Sequence, residues 1–221
     1  MLQLLFTLAL YLLGVGVIGV AACPGVLLLL AAWERSATLA LLPRSLALSL
    51  SGAAGYFLYG LTLLLVVGML AYLLRLKLQA GEFSPISLEG ARWALANALY
   101  LVVTVTFIDF ILLTPFAPFF WRLMGAKVGR GVQINSKFCA DLSLLEVGDQ
   151  AVIGGHATVI GHSFERGRLI LRRVRIGRRA IVGLNAVVLP GAEIGEGATV
   201  AAGAIVPKDT RVPPHTTYYG P

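Results

Sequence analysis

The chain has 221 residues, 57% of them hydrophobic and 13% charged, too apolar for an ordinary soluble domain; composition favours a membrane protein. Its net charge of +7 lies almost wholly beyond Phe120 and suits anionic headgroups or an anionic cofactor. Nucleic acid is set aside because no recognition motif accompanies the charge. Cys23, in an apolar run, and Cys139, further on, make neither a disulfide framework nor a metal spacing.

Met1 to Trp33 and Ser45 to Leu74 hold no charge, and Trp93 to Trp121 holds only Asp109. Each run exceeds the roughly 20 residues that cross a bilayer. Pro24-Gly25 in the first block predicts either one kinked span or two re-entrant half-helices. Val20-Ala-Ala-Cys23 imitates a lipoprotein cleavage box, but no positive n-region precedes it, so the segment is expected to be retained. Ser51, Gly52, Gly55 and Gly60 in the second block suit close helix packing. Asp109 either lines a path inside the membrane or sits at headgroup level. Basic residues follow every block, and the strongest cluster, Arg122, Lys127 and Arg130, leads into the second half. That places the second half in the cytoplasm, below a bacterial inner or plasma membrane. The expected division is 1–124, a transmembrane helical domain, and 125–221, a globular one.

From Lys127 the pattern changes. Aliphatic residues fall at Val128, Ile134, Val147, Ile153, Val159, Ile176, Val182, Val188, Ile194, Val200 and Val206, most followed by Gly or another small residue. A period of six is neither helical nor a simple alternation; it is the signature of a parallel β-helix with three hexads to a coil. A second marker recurs once per coil, at Ala126-Lys-Val-Gly129, Leu145-Glu-Val-Gly148, Val174-Arg-Ile-Gly177 and Ala192-Glu-Ile-Gly195, at intervals of 19, 29 and 18 residues. Against 18, the first coil carries one extra residue and the second eleven. The larger excess follows Val159 and predicts an inserted loop near 161–171 that leaves the coil at a corner. Around it stand Arg166, Arg168, Arg172, Arg173, Arg175, Arg178 and Arg179, a density of like charge that calls for an anion nearby.

The Val-x-Ile-Gly beats and the tail Val200-Ala-Ala-Gly-Ala-Ile-Val-Pro-Lys208 resemble the hexapeptide-repeat acyltransferase superfamily. More narrowly, GEFSPISLEGARW, FWRLMGAKVGRGVQI, DLSLLEVGD and GHSFERGRLIL resemble the membrane-embedded C-terminal part of poly-lysine-synthetase-type nonribosomal peptide synthetases. The first resemblance implies a left-handed β-helix acting as a homotrimer, with a thioester donor in the groove between coils and a loop histidine as general base. The second implies that the thioester is held either by coenzyme A or by the phosphopantetheine arm of an acyl or peptidyl carrier protein.

By motif position the histidine is His162, with Glu165 or Asp141 to orient its ring. Candidates for the donor are Arg178, Arg179, Gly183, Asn185, Ala202, Lys208 and Arg211, the arginines being suited to phosphates. His156 is expected to point outward. It lies one hexad from His162, but no third ligand stands at a matching position, so no metal is expected. Cys139 reads as small and buried rather than nucleophilic. The whole is expected to be a membrane-bound acyltransferase, touching lipid and moving an acyl or aminoacyl group to an amine or hydroxyl. The alternative is a noncatalytic trimeric scaffold that docks a peptide synthetase or exporter.

Overall fold

The computed structural model describes residues 2–220, in two compact units, Met1–Met69 and Leu70–Pro221. Residues 70–124, grouped with the membrane helices on composition, therefore pack with the repeats.

The first unit is built from α1 (Leu2–Arg35) and most of α2 (Leu41–Leu73). Pro24 lies inside α1 without ending it, so the re-entrant alternative is replaced by one continuous helix. The small residues of α2 let the backbones meet: a Cβ on Gly25 would stand 2.5 Å from the carbonyl oxygen of Gly55. Both helices are long and apolar enough to cross a membrane by length and composition. Their outward residues are apolar too, with Leu12 at 73% and Leu50 at 62% exposure, a surface that water does not favour.

The third apolar block gives no third long helix. It breaks into α3 (Leu88–Thr106), a 3-10 turn at Ile108–Phe110 and α4 (Phe116–Leu123). Pro115 stands at the N-cap of α4, and Ser87 caps α3 by accepting from the Gly90 N–H at 3.2 Å. These pieces pack on one another and on the repeats: Tyr100 of α3 stacks on Phe120 of α4 at 6.1 Å, and the Leu113 N–H donates to the Ile134 carbonyl at 2.9 Å. Asp109 is exposed and pairs with Lys137 at 2.7 Å, so its partner is a surface cation of the first coil.

The hexads form stacked parallel strands on three faces. One face carries β2 (Lys127–Val128), β4 (Leu145–Val147), β9 (Val174–Ile176), β12 (Glu193–Ile194) and β15 (Arg211–Val212). The next carries β3 (Gln133–Ile134), β5 (Val152–Ile153), β10 (Ile181–Val182), β13 (Thr199–Val200) and β16 (Thr217–Tyr218). The third carries β6 (Thr158–Val159), β11 (Val187–Val188) and β14 (Ile205–Val206), joined to Cys139 by a single bridge from Val159. In nearly every hexad the aliphatic residue points inward, with Val159, Val182, Val188, Val200 and Val206 fully buried, and alanines such as Ala157, Ala186 and Ala198 fill the corners. Period six thus becomes one inward residue per face, and burial of that residue holds the register.

The excess after Val159 is an ordered hairpin rather than an open loop. β7 (His162–Glu165) pairs antiparallel with β8 (Arg168–Leu171) through a two-residue turn, Arg166 at φ 47° and Gly167 at φ 74°. Two positive φ values give the tight turn that matches strand twist. On its other edge β8 takes β1 (Gly81–Phe83), the strand that follows α2.

Candidate active site

Two departures from the hexad rhythm fall at one corner. Ile134 pairs with Ile153 and Cys139 with Val159, after which the first coil spends extra residues on Asp141 and a 3-10 turn, Leu142–Leu144, and the second inserts its hairpin. Coil stacking sets these two irregular stretches one above the other. Asp141 and the first residue of the hairpin, His162, are thereby brought together.

His162 Nδ1 lies 2.6 Å from Asp141 Oδ2. The Asp141 side chain is fully buried and that of His162 is 25% exposed. Three further donors reach the carboxylate: the Gly161 N–H to Oδ2 at 2.9 Å, and Trp93 Nε1 and Asn97 Nδ2 to Oδ1 at 2.7 and 3.0 Å. A carboxylate offers about four acceptor positions, and all four are taken, which is what a buried charge requires. Since the carboxylate only accepts, Nδ1 carries the proton, and the lone pair of the neutral ring lies on Nε2. Trp93 stands edge-on to the imidazole at 5.0 Å, with Phe164 at 6.2 Å. A partly covered imidazole, held in direction through Nδ1 and with no partner on Nε2 among the described residues, can take a proton from an acceptor beside it.

The sequence alone points to no role for Trp93 and Asn97. They lie one turn apart on α3, so they share a face. Two side chains with polar tips at that spacing in an apolar helix are the only signal available. Behind them Leu78, Leu144, Leu169 and Leu171 form a core that Phe83, Trp93 and Ala96 pack against, fixing the hairpin base. A groove of about 810 Å³ starts at Trp93 and Asn97 and runs between α3 and the first coils past Leu101, Phe138 and Cys139. A larger pocket, about 940 Å³, covers the β2–β15 face and contains neither Asp141 nor His162. Chemistry rather than size therefore locates the site.

Of the two carboxylates expected beside His162, Asp141 lies against the ring and Glu165 is paired elsewhere. Glu165 accepts from Ser163 at 2.9 Å and forms a short ion pair with Lys208, whose ammonium holds the carboxyl below its usual range. The donor candidates are scattered over the single chain. Arg178 and Arg179 sit at the corner after β9, Gly183, Asn185 and Ala202 at the corner after β10 and β13, Lys208 after β14, and Arg211 on β15.

The arginine crowd also finds its counter-charges inside the chain. Outward positions stack as Lys127, Glu146, Arg175, Glu193 and Arg211, an alternating ladder with contacts from 2.7 to 3.2 Å. Glu196 takes Arg178 and Arg179 at 2.7 and 3.0 Å, while Arg172 reaches Glu82 and Asp209 at 3.7 and 3.8 Å. The cations hold Glu146, Glu193 and Glu196 below the usual carboxylate range. A bound anion is thus unnecessary for most of these arginines. His156 is exposed and stacks on Phe138 at 5.7 Å. Burial pushes the Cys139 thiol up to about 12, against a nucleophilic role. Among the described residues no group of three or more His, Cys, Asp or Glu side chains is placed to hold a metal ion.

Residues 173–208 match the family described as hexapeptide repeat of succinyl-transferase. No curated protein matches the chain. Similar solved structures include a maltose O-acetyltransferase from Clostridium difficile 630, 16% identical over 64% of this chain and 88% of that one, with a TM-score of 0.48. A hexapeptide-repeat-containing acetyltransferase from Vibrio cholerae O1 biovar eltor, complexed with acetyl coenzyme A, is 21% identical over 65% and 91%, with a TM-score of 0.47. Serine acetyltransferase from Brucella abortus strain S19, in complex with coenzyme A, is 17% identical over 73% and 52%, with a TM-score of 0.41. The chain spans about half the length of that last protein.

Proposed function

We propose that the chain is a membrane-bound acyltransferase, a homotrimer of left-handed β-helices that moves an acyl or aminoacyl group from a thioester to an amine or hydroxyl. The observation that carries this reading is the Asp141–His162 pair, a buried carboxylate holding a half-buried imidazole by Nδ1 at 2.6 Å. The name of the family matched over 173–208 agrees with acyl transfer. In the reaction, the acceptor nitrogen or oxygen attacks the thioester carbonyl carbon while His162 Nε2 takes its proton. Backbone N–H groups steady the oxyanion. The C–S bond then breaks, and the leaving thiolate recovers the proton from the imidazolium. Asp141 orients the ring and stabilises its charged form.

The donor is acyl-coenzyme A or a carrier-bound phosphopantetheine thioester, the latter in line with the resemblance to the membrane part of poly-lysine-synthetase-type enzymes. One chain spreads the donor candidates over three corners; a trimer would let a corner of one copy face the hairpin of the next. The 810 Å³ groove beside Trp93 suits an apolar part of the acyl group or acceptor. The lengths and apolar surfaces of α1 and α2 support insertion in a bacterial inner or plasma membrane, with the basic β-helix on the cytoplasmic side.

His162→Gln tests the reading. Thiol release from a panel of acyl-coenzyme A donors and amine or hydroxyl acceptors should fall about 10²- to 10⁴-fold, the usual range for a general base, in a chain that still folds. Undiminished turnover in the variant removes His162 as base. A parent chain that is inactive, yet loses a bound partner when the arginines are neutralised, is a scaffold instead.

A further inference from the structure

Away from the histidine, four cations converge on one pocket that the acyl-transfer chemistry does not use. Arg75, Lys77, Arg92 and Arg173 line a hollow of about 770 Å³ together with Gln79 and Ala80. The stretch that carries the first two is held from behind. Leu76 and Leu78 are buried, and the Leu78 N–H donates to Ser143 Oγ at 3.0 Å, so Arg75, Lys77 and Gln79 alternate to the outer side.

The end of α2 contributes to the same arrangement. The Leu76 N–H donates to the Ala71 carbonyl at 2.9 Å and the Arg75 N–H to the Tyr72 carbonyl at 3.1 Å. This double closure puts Arg75 at φ 52°, a left-handed conformation that helix ends usually leave to glycine. A long cationic side chain stands where the backbone would favour none.

The acids nearby do not balance the pocket. Glu89 pairs with Arg92, and Arg173 reaches Glu146 at 3.3 Å. Glu146 also serves Lys127 and Arg175. Arg75 and Lys77 have no ion-pair partner among the described residues. The carbonyl end of α2 offsets part of the Arg75 charge and none of the charge of Lys77. What remains is a preformed hollow with surplus positive charge and three guanidinium groups, whose paired donors match phosphate oxygens.

Where this hollow falls in the chain indicates the source of the phosphate. Arg75 and Lys77 follow Leu73, the last residue of α2, by two and four positions. With α2 crossing a bilayer, they would sit where the apolar span ends and lipid headgroups begin. We propose that the pocket binds the phosphate of an anionic lipid headgroup. The inference rests on α2 crossing the membrane, and it concerns a site separate from the acyl-transfer centre.

Calorimetry on the full chain in neutral detergent tests it, with dioctanoyl phosphatidylglycerol, dioctanoyl phosphatidylcholine and inorganic phosphate as probes. The phosphatidylglycerol binds saturably, the choline lipid does not, and inorganic phosphate binds more weakly. Arg75→Gln with Lys77→Gln weakens phosphatidylglycerol binding about tenfold or more. Arg130→Gln with Arg166→Gln, an equal charge change elsewhere, leaves it unchanged. An equal loss in both double variants, or no saturable binding, overturns the site. Inorganic phosphate binding as tightly as the lipid overturns the lipid as its source. Flotation with phosphatidylcholine vesicles after an alkaline wash reads membrane insertion separately: failure to float removes the span, whereas floating without phosphatidylglycerol binding removes only the pocket.

Discussion

Replacing Asp141 with Asn probes the candidate site at its most constrained atom. The carboxylate accepts four hydrogen bonds, and the amide has one oxygen with which to accept them. If that oxygen stays toward Trp93 and Asn97, the NH₂ faces the Gly161 N–H and His162, stranding one backbone donor. Turned the other way, it confronts both the Trp93 and Asn97 donors, so the first placement costs less. One stranded buried N–H costs about 1–3 kcal/mol. At roughly 2–4 °C per kcal/mol for a chain of this size, the apparent melting temperature should fall by about 2–12 °C. The same placement makes His162 Nδ1 an acceptor and moves the ring proton to Nε2, removing the base. In Ser-His-Asp hydrolases the corresponding wrong tautomer costs about 10⁴ in kcat. Long-range ¹H–¹⁵N spectra of the histidine rings, assigned by loss of one set in His162→Gln, report the tautomer without any knowledge of substrate. A ring that keeps its proton on Nδ1 in Asp141→Asn, with turnover undiminished, would refute this account of Asp141.

Three other expectations are independent of substrate. Lowering the pH should destabilise the β-helix through Glu146, Glu193 and Glu196: their folded-state values are depressed, so their contribution is present above the ordinary carboxylate value near 4.5 and is lost as pH falls through the folded values. Thermal melts at pH 7 and pH 3.5, at low and high salt, check this; a loss on acidification that salt does not reduce would point away from the ladder. Cys139 should resist iodoacetamide at pH 8 in the folded chain and react after denaturation, because burial raises its thiol to about 12; peptide mass spectrometry reads it, and rapid native labelling would contradict the burial. Gly25→Leu should separate α1 from α2, since even a Cβ there meets the Gly55 carbonyl oxygen at 2.5 Å. Overpacking of this kind costs about 1–3 kcal/mol, visible as a lower melting temperature in detergent; an unchanged melt would mean that the helices do not meet at these glycines.

How much of this was legible beforehand depends on whether a feature repeats. The marker intervals of 19, 29 and 18 residues reappear as strand partners, with Lys127 opposite Glu146, Glu146 opposite Arg175 and Arg175 opposite Glu193. Inward aliphatic burial imposes that spacing on every coil, so a single chain displays it many times. The same register contains the charge ladder, since residues one coil apart are outward neighbours, although in linear order the arginines look short of counter-charge. Counting charge along the sequence conceals a balance made across coils. The hydropathy of residues 93–121 was ambiguous for the opposite reason. Apolar surface that packs on a β-helix and apolar surface that faces lipid have the same composition, and Asp109, Pro115 and the polar tips of Trp93 and Asn97 are the features that set this block apart.

Position within the coil also explains why the candidate base meets Asp141 rather than Glu165. Glu165 is nearer in sequence, three residues from His162, but in a β-strand odd separations lie on opposite faces of the sheet. Asp141 is twenty-one residues away; the offset of twenty at which Cys139 pairs with Val159 sets it level with Gly161, from whose N–H it accepts, and so beside the first residue of the hairpin. In the regular coils the buried corner positions hold alanine, as at Ala157, Ala186 and Ala198, while charged corner residues such as Arg178 and Arg179 face outward, so a buried carboxylate has no room there. The extra residues of the first coil make that room, and Asp141 occupies it in a left-handed conformation, φ 56°, that Asp tolerates better than most residues. The irregular first coil thus supplies Asp141 and the inserted hairpin His162, the acid and base of the proposed site, and neither departure from the repeat would assemble the pair without the other.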